Sequence, residues 1–345
     1  MKRIILLALS FLLSFSLAFS LAACGRDYDE DREDSEDRED GEDSEDSEEV
    51  GDTPIYTRED DIIYFGSYPQ IEVTDSTTKT ALSAKIEGLP TSSNSNGWTS
   101  YGYYSSGNVS NYMWYIDVED GTEEYRGVYF TSYRSYGLGF PSSSEYTYQH
   151  DNRYYTGTVY WFKYEPIAWR ILSESDGTAL ILCDMIIDAQ EYDYENGSYD
   201  NNYANSTIRA WLNETFYNTA FSKLQKEIIL TTTVDNSVSS TGYSSNPYAC
   251  EDTSDKIFLL SYKEVTNSAY GFSSSFSTYD EARQKKNTDY AKAQGVWSAA
   301  YGCWLLRSPR NSNSLSARIV IGSYVNYDYV YNSYYGVVPA LQIRL

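Results

Sequence analysis

The pattern of apolar and polar positions divides the chain into three parts. Residues 4–21 are almost continuously apolar, residues 25–52 carry almost no apolar side chain, and beyond residue 53 short apolar runs alternate with polar turns. The third part contains both the two-residue period of strands and the 3.6-residue period of helices. We therefore predict one folded α+β domain over 53–345, preceded by a leader and a tether.

Strands are predicted near both ends of this domain. Apolar, β-branched and aromatic residues, bounded by Gly, Pro and polar turns, form eight runs at 61–70, 165–172, 179–183, 255–260, 303–309, 317–321, 329–331 and 337–343. Asp176 and Gly177 mark the turn of a hairpin between the second and third runs. We expect both ends of the domain to lie in or near one antiparallel sheet.

Short helices are predicted between these strands. Apolar residues at helical spacing indicate helices at 80–87, from 206 to about 216, at 222–229, from 261 onwards and at 287–294. Ser206 is the expected N-cap of the second helix, and Ser261 with Glu264 forms a capping box. Leu224 and Ile228 are expected to share one face of the third helix.

A stretch of about 73–158 differs in composition from the rest of the domain. It is rich in Tyr, Ser, Gly and Asn, and its alternating pieces indicate short exposed hairpins and long loops. We therefore predict a β-rich insertion on the surface.

The start of the chain is typical of a bacterial lipoprotein. Lys2 and Arg3 precede the apolar run, which ends in Leu-Ala-Ala-Cys at Cys24. This order predicts a signal peptide over 1–23, with Cys24 lipidated and inserted in the bilayer. The alternative is a transmembrane anchor, because the apolar run is nearly long enough to span. We expect a membrane-anchored protein exposed on the bacterial cell surface.

Residues 24–52 are predicted to be a lipidated, disordered tether. They include five successive x-Glu-Asp triplets and cannot bury apolar surface. A calcium-binding tail is the alternative, although the acids lack the fixed ligand spacing of a loop site.

The charge of the folded domain excludes one class of partner. The chain carries −24, to which residues 1–23 contribute +2 and residues 25–52 contribute −14, so −12 remains for 53–345. An acidic domain disfavours nucleic acid, which requires basic patches.

The reactive side chains are few. The single histidine, His150, excludes a zinc site with several histidine ligands, and we expect it in a solvated loop. Cys183 lies in an apolar run and is predicted to be a buried thiol, while a bridge between Cys250 and Cys303 stays open. The sequence contains no GxSxG, GxGxxG or phosphate-binding loop. We expect no cofactor, no metal and no catalytic residue.

Several motifs together resemble a known group of proteins. FGSYPQ, EPIAWRIL, STIRAWLNETFYNTAF, WLLRSP and GVVPALQI occur in this order. They resemble a family of bacterial surface domains of unknown function, which is similar to the formylglycine-generating-enzyme branch of the C-type lectin fold. The resemblance covers about 62–70 and 165–345, and it implies a C-type-lectin-like domain of antiparallel strands with a few helices.

The end of the chain resembles the variable proteins of diversity-generating retroelements, treponemal variable lipoproteins among them. In those systems adenines of a template are copied with errors, so that Asn codons become Tyr, Ser or Asp. The resemblance implies a variable region at about 311–335, interrupted by framework residues such as Arg318. The predicted ligand-binding positions are Asn311, Asn313, Ser316, Ser323, Tyr324, Asn326, Tyr327, Asp328, Tyr329, Tyr331, Asn332, Ser333, Tyr334 and Tyr335.

The composition of this region agrees with binding. Tyrosine offers a large amphipathic contact area with few torsions to fix, and Ser and Asn add adaptable hydrogen bonds. We expect a surface lipoprotein whose protein or glycan ligand differs between clones. The Tyr, Asn, Ser and Asp side chains of the region should point outward together, and Val337, Val338 and Leu341 should be buried. The alternatives are a fixed tyrosine-rich binding surface, a structural surface-layer protein, and an oxidase of the formylglycine-generating type that uses Cys303.

Overall fold

The computed structural model describes five stretches of the chain, 54–91, 93–101, 113–137, 146–194 and 199–345. All five belong to the compact unit Asp52–Leu345. The predicted signal peptide, the tether and Cys24 lie outside the described residues and stay predictions. Among the described residues, no helix is long and apolar enough to cross a membrane.

Strands dominate the described part of the domain. In chain order they are β1 Thr57–Glu59, β2 Ile62–Glu72, β3 Thr99–Ser100, β4 Met113–Asp120, β5 Glu123–Phe130, β6 Val159–Ser175, β7 Thr178–Cys183, β8 Met185–Ile186, β9 Asp188–Ala189, β10 Thr232–Val234, β11 Thr253–Asp255, β12 Ile257–Phe258, β13 Lys286–Asn287, β14 Cys303–Pro309, β15 Ser316–Ile321, β16 Tyr324–Tyr329, β17 Gly336–Val337 and β18 Ala340–Arg344.

The helices are short. They are α1 Ser76–Ser83, α2 Tyr148–Asp151, α3 Thr207–Trp211, α4 Tyr217–Ala220, α5 Lys223–Ile228, α6 Tyr262–Val265 and α7 Asp289–Ala293. A π-helical turn at Leu212–Phe216 joins α3 to α4, so the predicted helix after Ser206 continues through three segments. Ser206 caps it, and Ser261 and Glu264 form the predicted capping box of α6.

Two sheets hold the domain together. In the first, β6 pairs with β2 along one edge and with β5 and β7 along the other, and every pairing is antiparallel. In the second, the strand order is β16-β15-β14-β17-β9, with one parallel pairing between β14 and β17. The predicted class, α+β with mainly antiparallel strands and a few helices, is confirmed, and the hairpin at Asp176-Gly177 joins β6 to β7 as expected.

The core is built from aromatic and aliphatic side chains of both sheets and of α3. Trp169 of β6, Trp211 of α3 and Trp304 of β14 are at most 1% exposed. Burying one large apolar side chain contributes about 1.5–3 kcal/mol. The predicted apolar face of α5 does not join the core, because Leu224 is 61% exposed.

A predicted hairpin is present as β4 and β5, but the prediction that it is exposed is wrong. These strands pair with each other and join the first sheet through β6, and Met113, Val128 and Phe130 are fully buried. The physical cause is that one face of each strand is buried in the core. The abundant tyrosines of this stretch made that apolar face hard to recognise from the sequence.

At the end of the chain, the bounds of the strands differ from the predicted bounds. The strand predicted at 329–331 lies earlier, as β16 at Tyr324–Tyr329. The strand predicted at 337–343 is split, because Val337 belongs to the second sheet and Ala340 to the first. Val337, Val338 and Leu341 are fully buried, as predicted.

Candidate functional site

The candidate binding surface is built on the hairpin of β15 and β16. A two-residue loop, Gly322-Ser323, joins the strands, and Gly322 has a φ of +57°, which glycine adopts without strain. The register runs from Ile321 opposite Tyr324 to Ser316 opposite Tyr329. Because β16 has β15 as its single neighbour in this sheet, it forms the edge of the sheet.

Four of the predicted positions are exposed on this edge strand. Tyr324 is 46% exposed, Tyr327 is 39% exposed and Tyr329 is 49% exposed, and Asn326 is exposed as well. By contrast, every residue of β14 is buried. The hairpin therefore presents large amphipathic side chains from a strand whose supporting sheet is packed.

The backbone of β16 is protected along this edge. The N–H of Val325 donates to the carbonyl oxygen of Phe276 at 3.0 Å. The N–H of Tyr327 donates to the side chain of Asn326 at 2.9 Å, and that of Tyr329 donates to the side chain of Asp328 at 2.7 Å. These N–H groups are thus unavailable to an added strand, so the hydrogen-bond donors that this edge offers a ligand are side-chain groups.

The exposed strand continues into a chain of tyrosine rings. Tyr329 stacks on Tyr331 with 5.0 Å between centroids and 10° between planes, and Tyr331 lies 5.3 Å from Tyr199. Offset aromatic pairs of this kind contribute about 0.5–1.5 kcal/mol beyond area burial. The stack orders the side chains before a ligand arrives.

Residues of the predicted insertion also contact the predicted variable region. The ring of Tyr334 lies 5.2 Å from Tyr148 and 6.0 Å from Tyr136. Burial raises the pKa of Tyr148 to about 12 and also raises the pKa of Tyr334, so both phenols are neutral hydrogen-bond donors at neutral pH. The sequence did not identify Tyr136 and Tyr148 as site residues, because this contact is long-range.

Five predicted binding positions do not point outward. Those with at most 7% exposure are Ser316, Ser323, Asn332, Ser333 and Tyr335. The prediction that the polar residues of the region all face solvent is therefore wrong.

Internal hydrogen bonds hold several of these buried side chains. The Ser333 hydroxyl donates to the carbonyl oxygen of Ser135, and the Tyr335 hydroxyl donates to the carboxylate of Asp328. The Ser323 hydroxyl oxygen accepts from the Gln284 amide at 2.7 Å. Burial raises the pKa of Tyr335, which keeps that hydroxyl protonated. These side chains support the surface from behind.

The remaining predicted positions are half-buried. Asn311 and Asn313 lie in the loop between β14 and β15, where the Asn313 side chain accepts from the N–H of Leu315 at 2.9 Å. Asp328, Tyr331 and Tyr334 are half-buried on or just after β16. The structure therefore brings the predicted positions into one region but divides them into exposed, partly covered and buried sets.

The thiols agree with the expectations from the sequence, whereas the histidine does not. Cys183 is a buried free thiol, as predicted, and Cys250 and Cys303 are also free, so no bridge joins them. Burial raises the pKa of the Cys303 thiol to about 12. His150 is not in a solvated loop; it lies in α2, half-buried, with its ring 5.8 Å from Tyr133. No cluster of three metal-ligating residues occurs in the described stretches.

Two cavities lie away from this hairpin. A groove of about 440 Å³ includes Arg209 and Asp255, which pair with each other at 2.6 Å. A cavity of about 120 Å³ is lined by Tyr68, Tyr101 and other residues. The hydroxyls of both tyrosines donate to Asp188, whose pKa burial raises to about 6. In each cavity these polar side chains are paired with each other or with Asp188.

Comparison with known proteins gives one match. Residues 176–345 match the model of a domain of unknown function (DUF6273). No curated protein matches the chain. No solved structure matches it either. The matched segment includes β14 to β18 and all fourteen predicted binding positions, so this hairpin belongs to a region that is similar to that family.

Proposed function

We propose that the protein binds a ligand through the exposed edge of its second sheet. The observation that carries this proposal is the placement of Tyr324, Asn326, Tyr327 and Tyr329 on one edge strand, beside a fully buried β14. Tyrosines that are partly exposed and held by a rigid scaffold provide large contact areas at low entropic cost. A ligand can bury these rings without any change in the sheet.

We further propose that this surface is diversified. Exposed positions can be replaced at little cost in stability, because substitutions away from the core usually change it by less than about 0.5 kcal/mol. The four exposed residues are Tyr or Asn, the types expected when adenines of Asn codons are miscopied. A variable surface on a fixed sheet fits the C-type-lectin-like fold that the sequence motifs imply.

Display at the cell surface completes the proposal. Lipidation of Cys24 anchors the chain in the bilayer, and residues 25–52, with a net charge of −14, extend by self-repulsion and hold the domain away from it. The ligand is a protein or a glycan that differs between clones.

The oxidase alternative has less support from the geometry. Cys303 is 1% exposed, and the pKa of its thiol is raised to about 12, whereas a nucleophilic or metal-binding cysteine acts as the thiolate. A reagent test separates the two functions: we expect Cys303 to resist alkylation in the folded protein, and rapid alkylation would favour the oxidase.

The DNA around the gene tests diversification most simply. We expect a reverse transcriptase gene and a near-copy of the 3′ end of this gene that differs at adenines. We also expect sibling clones to differ at the exposed codons of β16. If both DNA features are missing and siblings share one sequence, the surface is a fixed binding site and diversification is excluded.

A further inference from the structure

Two arginines beside β16 lack the carboxylate partner that most buried arginines need. Arg126, Arg209 and Arg307 each lie within 3 Å of an acidic side chain. In the part of the chain that the structure describes, Arg310 and Arg318 make no salt bridge and no side-chain hydrogen bond. Within the same stretches Arg170 also makes no salt bridge and lies over the ring of Phe272, so what sets Arg310 and Arg318 apart is their position beside the exposed edge strand β16.

Arg318 is held by aromatic rings. It is 8% exposed, and its guanidinium lies 4.6 Å from the ring centroid of Tyr243 and 4.8 Å from that of Tyr262. Its Nε is buried and has no hydrogen-bond partner among the described residues. A buried N–H without a hydrogen-bond partner lowers the stability of the protein, so a ligand that supplies an acceptor at this position is favoured.

Arg310 brings a second positive charge to the same place. Its guanidinium lies 3.3 Å from the ring centroid of Tyr327, which is directly opposite Arg318 in the pairing of β15 with β16. Burial lowers the pKa of Arg318, and the charge of Arg310 lowers it further, yet an arginine stays protonated at neutral pH. The guanidinium groups of Arg310 and Arg318 have no carboxylate partner within the described stretches and lie against tyrosine rings, so a bound anion beside them is favoured.

The loop before Tyr243 is shaped to hold this arrangement. Gly242 has a φ of +76°, and a Cβ at this position would lie 2.2 Å from Cδ1 of Tyr262. Only glycine allows the loop to approach the ring this closely. The close approach fixes Tyr243 and Tyr262 at their distances from Arg318.

We propose that Arg310 and Arg318, with the rings of Tyr243, Tyr262 and Tyr327, form a subsite for a carboxylate group of the ligand. A guanidinium presents N–H donors in a planar fork that matches a carboxylate. The subsite rests on the proposed binding function, which it deepens by naming a chemical group that the ligand carries.

Apart from Tyr327, the subsite is a constant part of a surface that we propose to be variable. Tyr327 is a predicted variable position, while Arg318 is a framework residue. Ligands of different clones would then share an acidic group, which the arginines anchor, and differ in the parts that the tyrosines contact. The carboxylate comes from an acidic amino-acid side chain or from an acidic sugar.

The test is a titration of the full chain with glutarate, observed through the arginine Nε–H signals in NMR. We expect a saturable shift of the Arg318 signal, and no shift with glutaramide, the neutral molecule of the same shape. Separate titrations with a glutamate-rich peptide and with glucuronate identify the source of the carboxylate by which one binds more tightly.

Variants locate the effect. We expect Arg310→Gln and Arg318→Gln each to weaken glutarate binding by about tenfold or more, because each removes a charge-assisted hydrogen bond. Arg58→Gln is the matched control, since Arg58 is exposed and already paired with Glu174, and it should bind as the parent does. Arg310 is half-buried, so its variant tests the subsite even if Arg318→Gln fails to fold.

Three results would overturn the subsite: no saturable shift at Arg318, an equal shift with glutaramide, or tighter binding of sulfate than of glutarate. None of them bears on diversification, because the probe is a small molecule. Conversely, the absence of a reverse transcriptase gene would remove diversification and leave the glutarate result unchanged. The two proposals therefore fail separately.

Discussion

Two neighbouring segments of nearly the same composition behave in opposite ways. β16, Tyr324–Tyr329, and the residues 330–335 that follow it each contain three Tyr, one Asn and one Val, and they differ in one Asp against one Ser. The first segment exposes three tyrosines by 39–49%, whereas in the second Tyr335 is 3% exposed and Ser333 is 2% exposed. The difference shows that composition alone does not decide which tyrosines can contact a ligand.

The two segments differ in exposure because β16 is covered on one side, whereas residues 330–335 are covered on both sides. β16 has one partner strand, and its outer N–H groups are satisfied by local side chains and by Phe276. The next segment lies between the second sheet and residues 133–137, where the N–H of Ser333 donates to the carbonyl oxygen of Tyr136. A buried polar side chain with a fixed partner cannot be replaced freely, since its loss leaves that partner unsatisfied.

The largest expected effect separates the two segments by stability. Tyr335→Ala should lower the free energy of unfolding by about 3–5 kcal/mol, because it empties a buried ring site and removes the hydrogen bond to Asp328. Tyr329→Ala, the matched change on β16, should cost less than about 1.5 kcal/mol, mostly from its stack on Tyr331. Urea unfolding measures both. Equal losses would show that β16 is part of the core.

The second expected effect concerns the fixed side of the sheet and depends on pH. Asp188 pairs with Val337, and burial raises its pKa from 3.8 to about 6. The folded state therefore binds the proton more tightly than the unfolded state does. Stability contributed by this group is complete below pH 4 and is lost as pH rises through 6, by about 3 kcal/mol.

Removing this carboxylate checks the sign. In Asp188→Asn the free energy of unfolding should fall by about 3 kcal/mol less between pH 4 and pH 6 than it does in the parent. Thermal or urea unfolding across this pH range measures the difference. Glu191, whose pKa burial raises to about 7, should keep its own part of the slope. Asp176→Asn, at an exposed turn, should keep the parent profile. The raised pKa of Asp188 would be contradicted if the stability of the parent rose between pH 4 and pH 6 and Asp188→Asn abolished that rise.

The smallest expected effect concerns the protected edge. Asn326→Val removes the acceptor for the N–H of Tyr327 and should cost less than about 1 kcal/mol, while it raises the weight-average mass in sedimentation equilibrium. Asn326→Asp keeps an acceptor and should stay at the parent mass. If both variants behave alike, the Asn326 side chain does not protect the edge.

Much of the fold could be predicted from local patterns. The apolar run of β14 has the bounds predicted for it, Cys303–Pro309. The turn at Asp176-Gly177 and the cap at Ser206 were predictable because each depends on the residue type at that position. The hairpin of β4 and β5 was misjudged because its tyrosines are as abundant as those of an exposed loop, although alternate residues enter the core.

The proposed binding surface could be predicted only in part. Tyr324 to Tyr329 were identified by composition together with the resemblance to variable proteins and are mostly exposed, yet Tyr335 is also a tyrosine and is buried. Its environment depends on long-range packing that no short window of sequence contains. The same holds for Arg318, whose role appears only when Tyr243 and Tyr262 are placed around it.

The most direct test of the account is a pair of displayed libraries of the full chain. One randomises the exposed set Tyr324, Asn326, Tyr327 and Tyr329, and the other randomises the buried set Ser323, Asn332, Ser333 and Tyr335, with protease resistance reporting the folded fraction. We predict that most members of the first library fold and that selection on unrelated proteins and glycans yields different binders. We predict that most members of the second library are cleaved. Equal folding of both libraries, or a folded first library without binders, would contradict the account.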